Sequence, residues 1–172
     1  VAGVAFGTRS QLWLQLQRAQ DAATACRQRL PDFLRTLLAF VTEQAQGNTT
    51  YDQRVRLTTS ARAQPLWDRV EIQWDNLALS WRQLREQIDH LRQALVILAQ
   101  DSPDDFETLA TELTGAAHRL RELDEQVSAL IMQPDQNGIY WLELAAENER
   151  SDADPLFRLS LRAAPLQVGG LV

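Results

Sequence analysis

The sequence predicts a mainly α fold, an antiparallel bundle of three to four long helices followed by a C-terminal β-hairpin. Three observations carry this. Trp74, Leu77, Trp81, Leu84, Ile88, Leu91, Leu95 and Leu98 recur at alternating steps of three and four, a heptad seam that asks for a long helix with one dry stripe. Phe106, Leu109, Leu113, Ala116, Leu120, Leu123, Val127 and Leu130 repeat the pattern. After Met132 the apolar period changes from helical to two-fold, which is the signature of strands.

Taken in order, the chain opens with an apolar stretch, residues 1–7, that shows no sustained period and reads as the tail of a preceding segment. Thr8 or Ser10 can cap a helix whose stripe is Leu12, Leu16, Ala19, Ala23, Cys26 and Leu30. Pro31 has no backbone N–H and disfavours a helical Leu30, so a kink or restart is expected there, with Asp32 in the new first turn. Phe33, Leu34, Leu37, Leu38, Val41 and Ala45 form the next apolar face, ended by the turn-formers Gly47, Asn48, Thr49 and Thr50.

Residues 51–62 are the least regular part, and the alternation from Arg54 to Thr59 suits an extended connector across the bundle. Pro65 is placed for a first helical position, and the seam helix runs from there to Ala99. Ser102 and Pro103 then restart a helix as cap and first residue, antiparallel to its predecessor because the joining turn is short. Gly115 inside it costs about 1 kcal/mol relative to Ala, which predicts a close helix approach there, by Trp81. Pro134 to Gly138 is a turn, residues 139–144 a strand, residues 145–154 a polar hairpin loop, and residues 156–162 a strand that pairs back on the first.

Composition narrows the function. At 172 residues, length favours a single domain. All 17 basic residues are Arg, and a Walker-type phosphate loop needs a Lys, so the chain by itself is no P-loop ATPase. One cysteine, Cys26, excludes an intrachain disulfide and a thiolate-held metal cluster, and His90 and His118 lack metal-ligand spacing. No metal site and no catalytic residue are therefore assigned. Acid groups such as Asp104/Asp105 and Glu122/Asp124/Glu125 fit helix starts and wet faces. The aliphatic run 94–99 is too short for a bilayer and no basic, apolar leader opens the chain, so a cytoplasmic protein without a membrane is expected. Charge is uneven. Residues 1–70 hold nine Arg against five acids, and residues 71–172 hold eight Arg against eighteen, which puts any nucleic-acid contact in the first part.

The strand Ile139-Tyr140-Trp141-Leu142-Glu143, a charged loop, and then Leu159-Ser160-Leu161-Arg162-Ala163-Ala164-Pro165-Leu166-Gln167-Val168 together resemble a place in the XPD/DinG class of DNA helicases. There a tyrosine-tryptophan strand precedes a strand ending in alanine-proline-leucine, just after an inserted helical domain. Arg54-Val55-Arg56-Leu57-Thr58 and Pro65-Leu66-Trp67 more loosely resemble the arch insertion of bacterial DinG-like proteins. The resemblance implies an arch-type insertion over residues 8–133 and a hairpin, residues 138–166, belonging to an adjoining motor domain. It implies an ATP-dependent parent helicase of 5′ to 3′ polarity, with ATP and Mg held by motor domains outside these residues and no cofactor within them. With Cys26 alone, the segment is similar to the branch without an iron–sulfur cluster.

Two functions from different classes follow. In the first, the segment walls the path of single-stranded DNA beside the motor, with Arg54, Arg56, Arg62 and Arg69 as phosphate contacts and Trp67 as a stacking aromatic. In the alternative, the chain is a helical-bundle module that binds a partner protein through an exposed stripe.

Overall fold

The computed structural model describes residues 2–45, 52–99, 103–132, 134–135, 137–146 and 155–166. It is mainly helical, as expected. In chain order come α1 (Ala2–Gln44), β1 (Gln53–Arg56), α2 (Thr59–Arg62), α3 (Pro65–Ala99), α4 (Pro103–Ile131), β2 (Gly138–Leu144), a 3-10 turn (Pro155–Arg158) and β3 (Leu159–Pro165). Pro65 and Pro103 open their helices, where a missing N–H leaves no bond unmade. Ser102, the turn at residues 47–50 and most of the loop before Asp154 lie outside the described residues.

Of the kink or restart expected at Pro31, the restart is absent: α1 continues as one helix from Ala2, ahead of both expected caps. Proline inside a helix costs about 3 kcal/mol. Against that stand Phe33, Leu37, Phe40 and Val41, all 5% exposed or less in the part of the helix that follows it. Each such burial contributes about 1.5–3 kcal/mol, so packing outweighs the local penalty.

The chain divides into two compact units. One comprises residues 1–28 and 77–125. Here Leu12 and Leu16 of α1, Leu91 and Leu95 of α3, and Phe106, Leu109 and Leu113 of α4 line one apolar cavity of about 380 Å³. Further along, Arg82 of α3 bonds Asp124 of α4 through Nε at 3.2 Å, so α3 and α4 run antiparallel. Asp124 is buried, not on a wet face. The covered stripe of α4 is turned from the expected seam: Ala117 and Asp124 are buried, while Leu109 and Leu123 are 47% and 44% exposed. Nor does a helix crowd Gly115, since a Cβ there meets nothing within 4 Å.

The other unit comprises residues 29–76 and 126–172 and holds the sheet together with helical segments. Phe33 packs at a tilt against Trp74, ring centroids 5.3 Å apart, and Phe40 edge-on against Trp67 at 5.0 Å, pairs that set α1 and α3 antiparallel. Such pairs add about 0.5–1.5 kcal/mol each beyond their buried area. The indole of Trp74 donates to Ser128 Oγ at 3.1 Å and that of Trp67 to Glu71 at 2.9 Å, so neither buried N–H is wasted.

The expected hairpin is the larger part of a three-stranded antiparallel sheet of order β1-β2-β3. The third strand is β1, which lies in the stretch expected to be a connector. A distant partner, β2, pairs with one edge of it. The turn before β2 is closed by Gly138 N donating to Asp135 O at 3.0 Å. A Cβ at 138 would stand 2.6 Å from the Tyr140 ring, whose hydroxyl accepts from Asp135 N, so only glycine fits.

Candidate nucleic-acid interface

Alternation along the strands sorts their side chains onto two faces. Leu142 and Leu144 are buried at 0% and 4% exposure, so their face is the inner one. The opposite face carries Trp141 and Glu143 from β2. Register sets Arg56 beside Trp141 and Arg54 beside Glu143 on one side, and Arg162 and Ser160 beside the same two residues on the other. Arg158, at the end of the 3-10 turn before β3, stands with Arg54, Ser160 and Arg162 around one cavity on this side. The outer face thus gathers four guanidinium groups around one partly exposed indole and one carboxylate.

Glu143 organises these charges. It accepts from the Trp141 indole at 3.0 Å and is bridged at 2.5 Å by both Arg54 and Arg162. The indole hydrogen bond is the largest influence and lowers the pKa of its carboxyl; desolvation opposes it, and the guanidinium groups of Arg162 and then Arg54 lower it further, so the net shift is downward. The Arg54 guanidinium also lies 5.9 Å from the Trp141 ring. A cation poised by an aromatic face is the arrangement that lets a strand place a phosphate and a base side by side.

The sequence-predicted residues separate into two groups. Arg54 and Arg56 stand exposed on this outer face, and Arg69 is exposed on α3. Arg62 and Trp67 belong to the core of the same unit. Trp67 is 0% exposed and has no ring face to offer a base. Arg62 lies 4.9 Å from the Trp67 ring and 5.9 Å from that of Tyr140, and donates to the carbonyls of Leu130 and Ile131 at 2.7 and 2.8 Å. It therefore closes the C-terminus of α4, whose last carbonyls have no partner in the helix. Burial lowers its pKa, opposed by Glu71 and Tyr140.

Trp141, Arg158, Ser160 and Arg162 were not among the expected contacts. Their two-residue alternation is visible in the sequence, but which side faces outward depends on where Leu142 and Leu144 are buried. Among the described residues no cluster of His, Cys, Asp and Glu could hold a metal ion, and no helix is long and apolar enough to cross a membrane. The chain matches no protein-family model, no curated protein and no solved structure.

Proposed function

We infer that the chain is part of an ATP-dependent DNA helicase of the DinG/XPD kind, a helical insertion with the strands that follow it, and that it guides single-stranded DNA beside the motor in the cytoplasm. The observation that carries the DNA role is the outer sheet face, on which Trp141 sits among Arg54, Arg56 and Arg162. The helicase assignment draws support from the Tyr-Trp strand, which pairs antiparallel with the Ala-Ala-Pro strand of its motif. ATP and Mg do not fit residues of this chain, which has no lysine for a phosphate loop. They belong in this reading to flanking motor domains, and no step of the reaction runs through the residues described.

The test is a titration of the chain with oligo(dT) at low and moderate salt. Wild type binds weakly and loses affinity as salt rises. Arg54→Ala with Arg56→Ala flattens the logarithmic salt slope by about 0.7 for each phosphate contact removed. Binding unchanged in the double variant rejects the face as the DNA path.

A second reading rests on the first unit, where Trp13, Val96, Ile97 and Leu109 are 68%, 47%, 59% and 47% exposed beside an apolar cavity. Large exposed side chains of this kind suit a protein partner. A chain indifferent to oligo(dT) whose sedimentation coefficient rises with its own concentration fits that reading instead.

A further inference from the structure

Next to Glu143 the outer face opens into a cavity of about 440 Å³, with Arg54, Arg158, Ser160 and Arg162 in its wall together with the carboxylates of Glu143 and Asp52. The two carboxylates are already committed. Asp52 Oδ1 accepts from the backbone N–H of Ala146 at 2.7 Å, and Glu143 is held by Arg54, Arg162 and Trp141. Arg158 is different. Its Nη1 makes only a long contact of 3.4 Å to Ala145 O, and its Nε is enclosed with no acceptor. That N–H is closed to an added ligand, so what Arg158 brings to the cavity wall is the outer end of its guanidinium, held only by the weak Nη1 contact.

We propose that this cavity seats one phosphate group, bound by Arg158 and Ser160 and by the Arg54–Arg162 pair that Glu143 occupies when no phosphate is present. The Glu143 carboxylate is then an internal competitor. It keeps the two guanidinium groups facing one point, and it yields them to a ligand with more acceptor oxygens. Planar guanidinium forks suit the oxygens of a phosphate, and the cavity has room for a phosphate and its ester substituents where a carboxylate fills only one edge. The proposal refines the single-strand reading above. The phosphate comes either from a nucleic-acid backbone or from free phosphate, and the experiment separates the two.

Wild type, Glu143→Gln and Arg158→Gln are titrated with oligo(dT) and separately with inorganic phosphate, while the arginine Nε–H resonances are followed by NMR. With a phosphate seat, phosphate moves the Arg158 Nε–H resonance of wild type. Glu143→Gln tightens both ligands about tenfold, because a charge-assisted competitor is gone, and Arg158→Gln loosens both by a similar factor. Phosphate binding with this pattern, but no oligo(dT) binding, keeps the seat, assigns it to free phosphate and rejects the single-strand reading. Oligo(dT) binding that depends on Arg56 yet is equal in all three proteins, with a still Arg158 resonance, overturns the seat and leaves the single-strand reading standing. The resonance of wild type decides the matter even where a variant fails to fold.

Discussion

At Glu143 three donors converge on one carboxylate, the Trp141 indole and the guanidinium groups of Arg54 and Arg162. All three favour the ionised form, so the folded-state pKa lies below the ordinary glutamate value of about 4.5 that the unfolded chain restores. For a depressed carboxylate the stabilisation is present above the unfolded value and is lost as pH falls through the folded one. The melting temperature of wild type therefore drops below pH of about 4.5 more steeply than that of Glu143→Gln, and parallel curves in thermal melts across that range would show that the bridge adds nothing. At this scale the alternation of Arg54 and Arg56 with Val55 already placed the two arginines on one side of a strand. The burial of Trp67 was not legible, because nothing local distinguishes an aromatic that stacks on a base from one that packs edge-on against Phe40.

Helix starts were legible because proline at the first position acts through local geometry alone, and α3 and α4 begin at Pro65 and Pro103. The continuity of α1 through Pro31 was not, since it is decided by Phe33, Leu37, Phe40 and Val41 and by what they pack against. The same holds for β1, a strand of four residues whose pairing partner lies far along the chain. In α4 the apolar spacing gave the helix but not its orientation, which is turned toward Ala117 and Asp124. Gly115 sits in that helix with open space where a Cβ would go. Gly115→Ala consequently raises stability by about 0.8–1 kcal/mol, the intrinsic helix preference with no packing cost to offset it. Denaturant melts measure this directly, and a loss of stability would mean that a neighbour does crowd the site.

At the scale of the whole molecule, the most deeply buried aromatic side chains among the described residues, Trp67, Trp74 and Phe40 at 0–1% exposure, gather in the unit of residues 29–76 and 126–172. In the unit of residues 1–28 and 77–125 the seam is less completely covered: Ile88, Leu91 and Leu95 keep 5–8% exposure, Trp81 and Leu84 are half-buried, and Leu109 and Leu123 are exposed. Amide exchange is accordingly slowest in residues 67–74 and in β2, and faster in residues 106–113, where Leu109 stands half in solvent. The reverse order in mass-spectrometric exchange would contradict this ranking of the two cores. The division itself was hidden from the sequence, because α1, α3 and α4 each contribute to both units without any interruption of their apolar period.

The closure of the turn before β2 has a chemical corollary. Asparagine followed by glycine is prone to spontaneous deamidation, in which the glycine nitrogen attacks the asparagine amide to form a succinimide. Here that nitrogen is tied to Asp135 O, Asn137 N is held by Asp135 Oδ1 at 2.9 Å, and Asn137 O receives Leu166 N at 2.6 Å. Folding thus restrains the Asn137 N–H and C=O and the Gly138 N–H that the cyclisation must turn, and deamidation at this bond is expected to be slower in the folded chain than in the unfolded one.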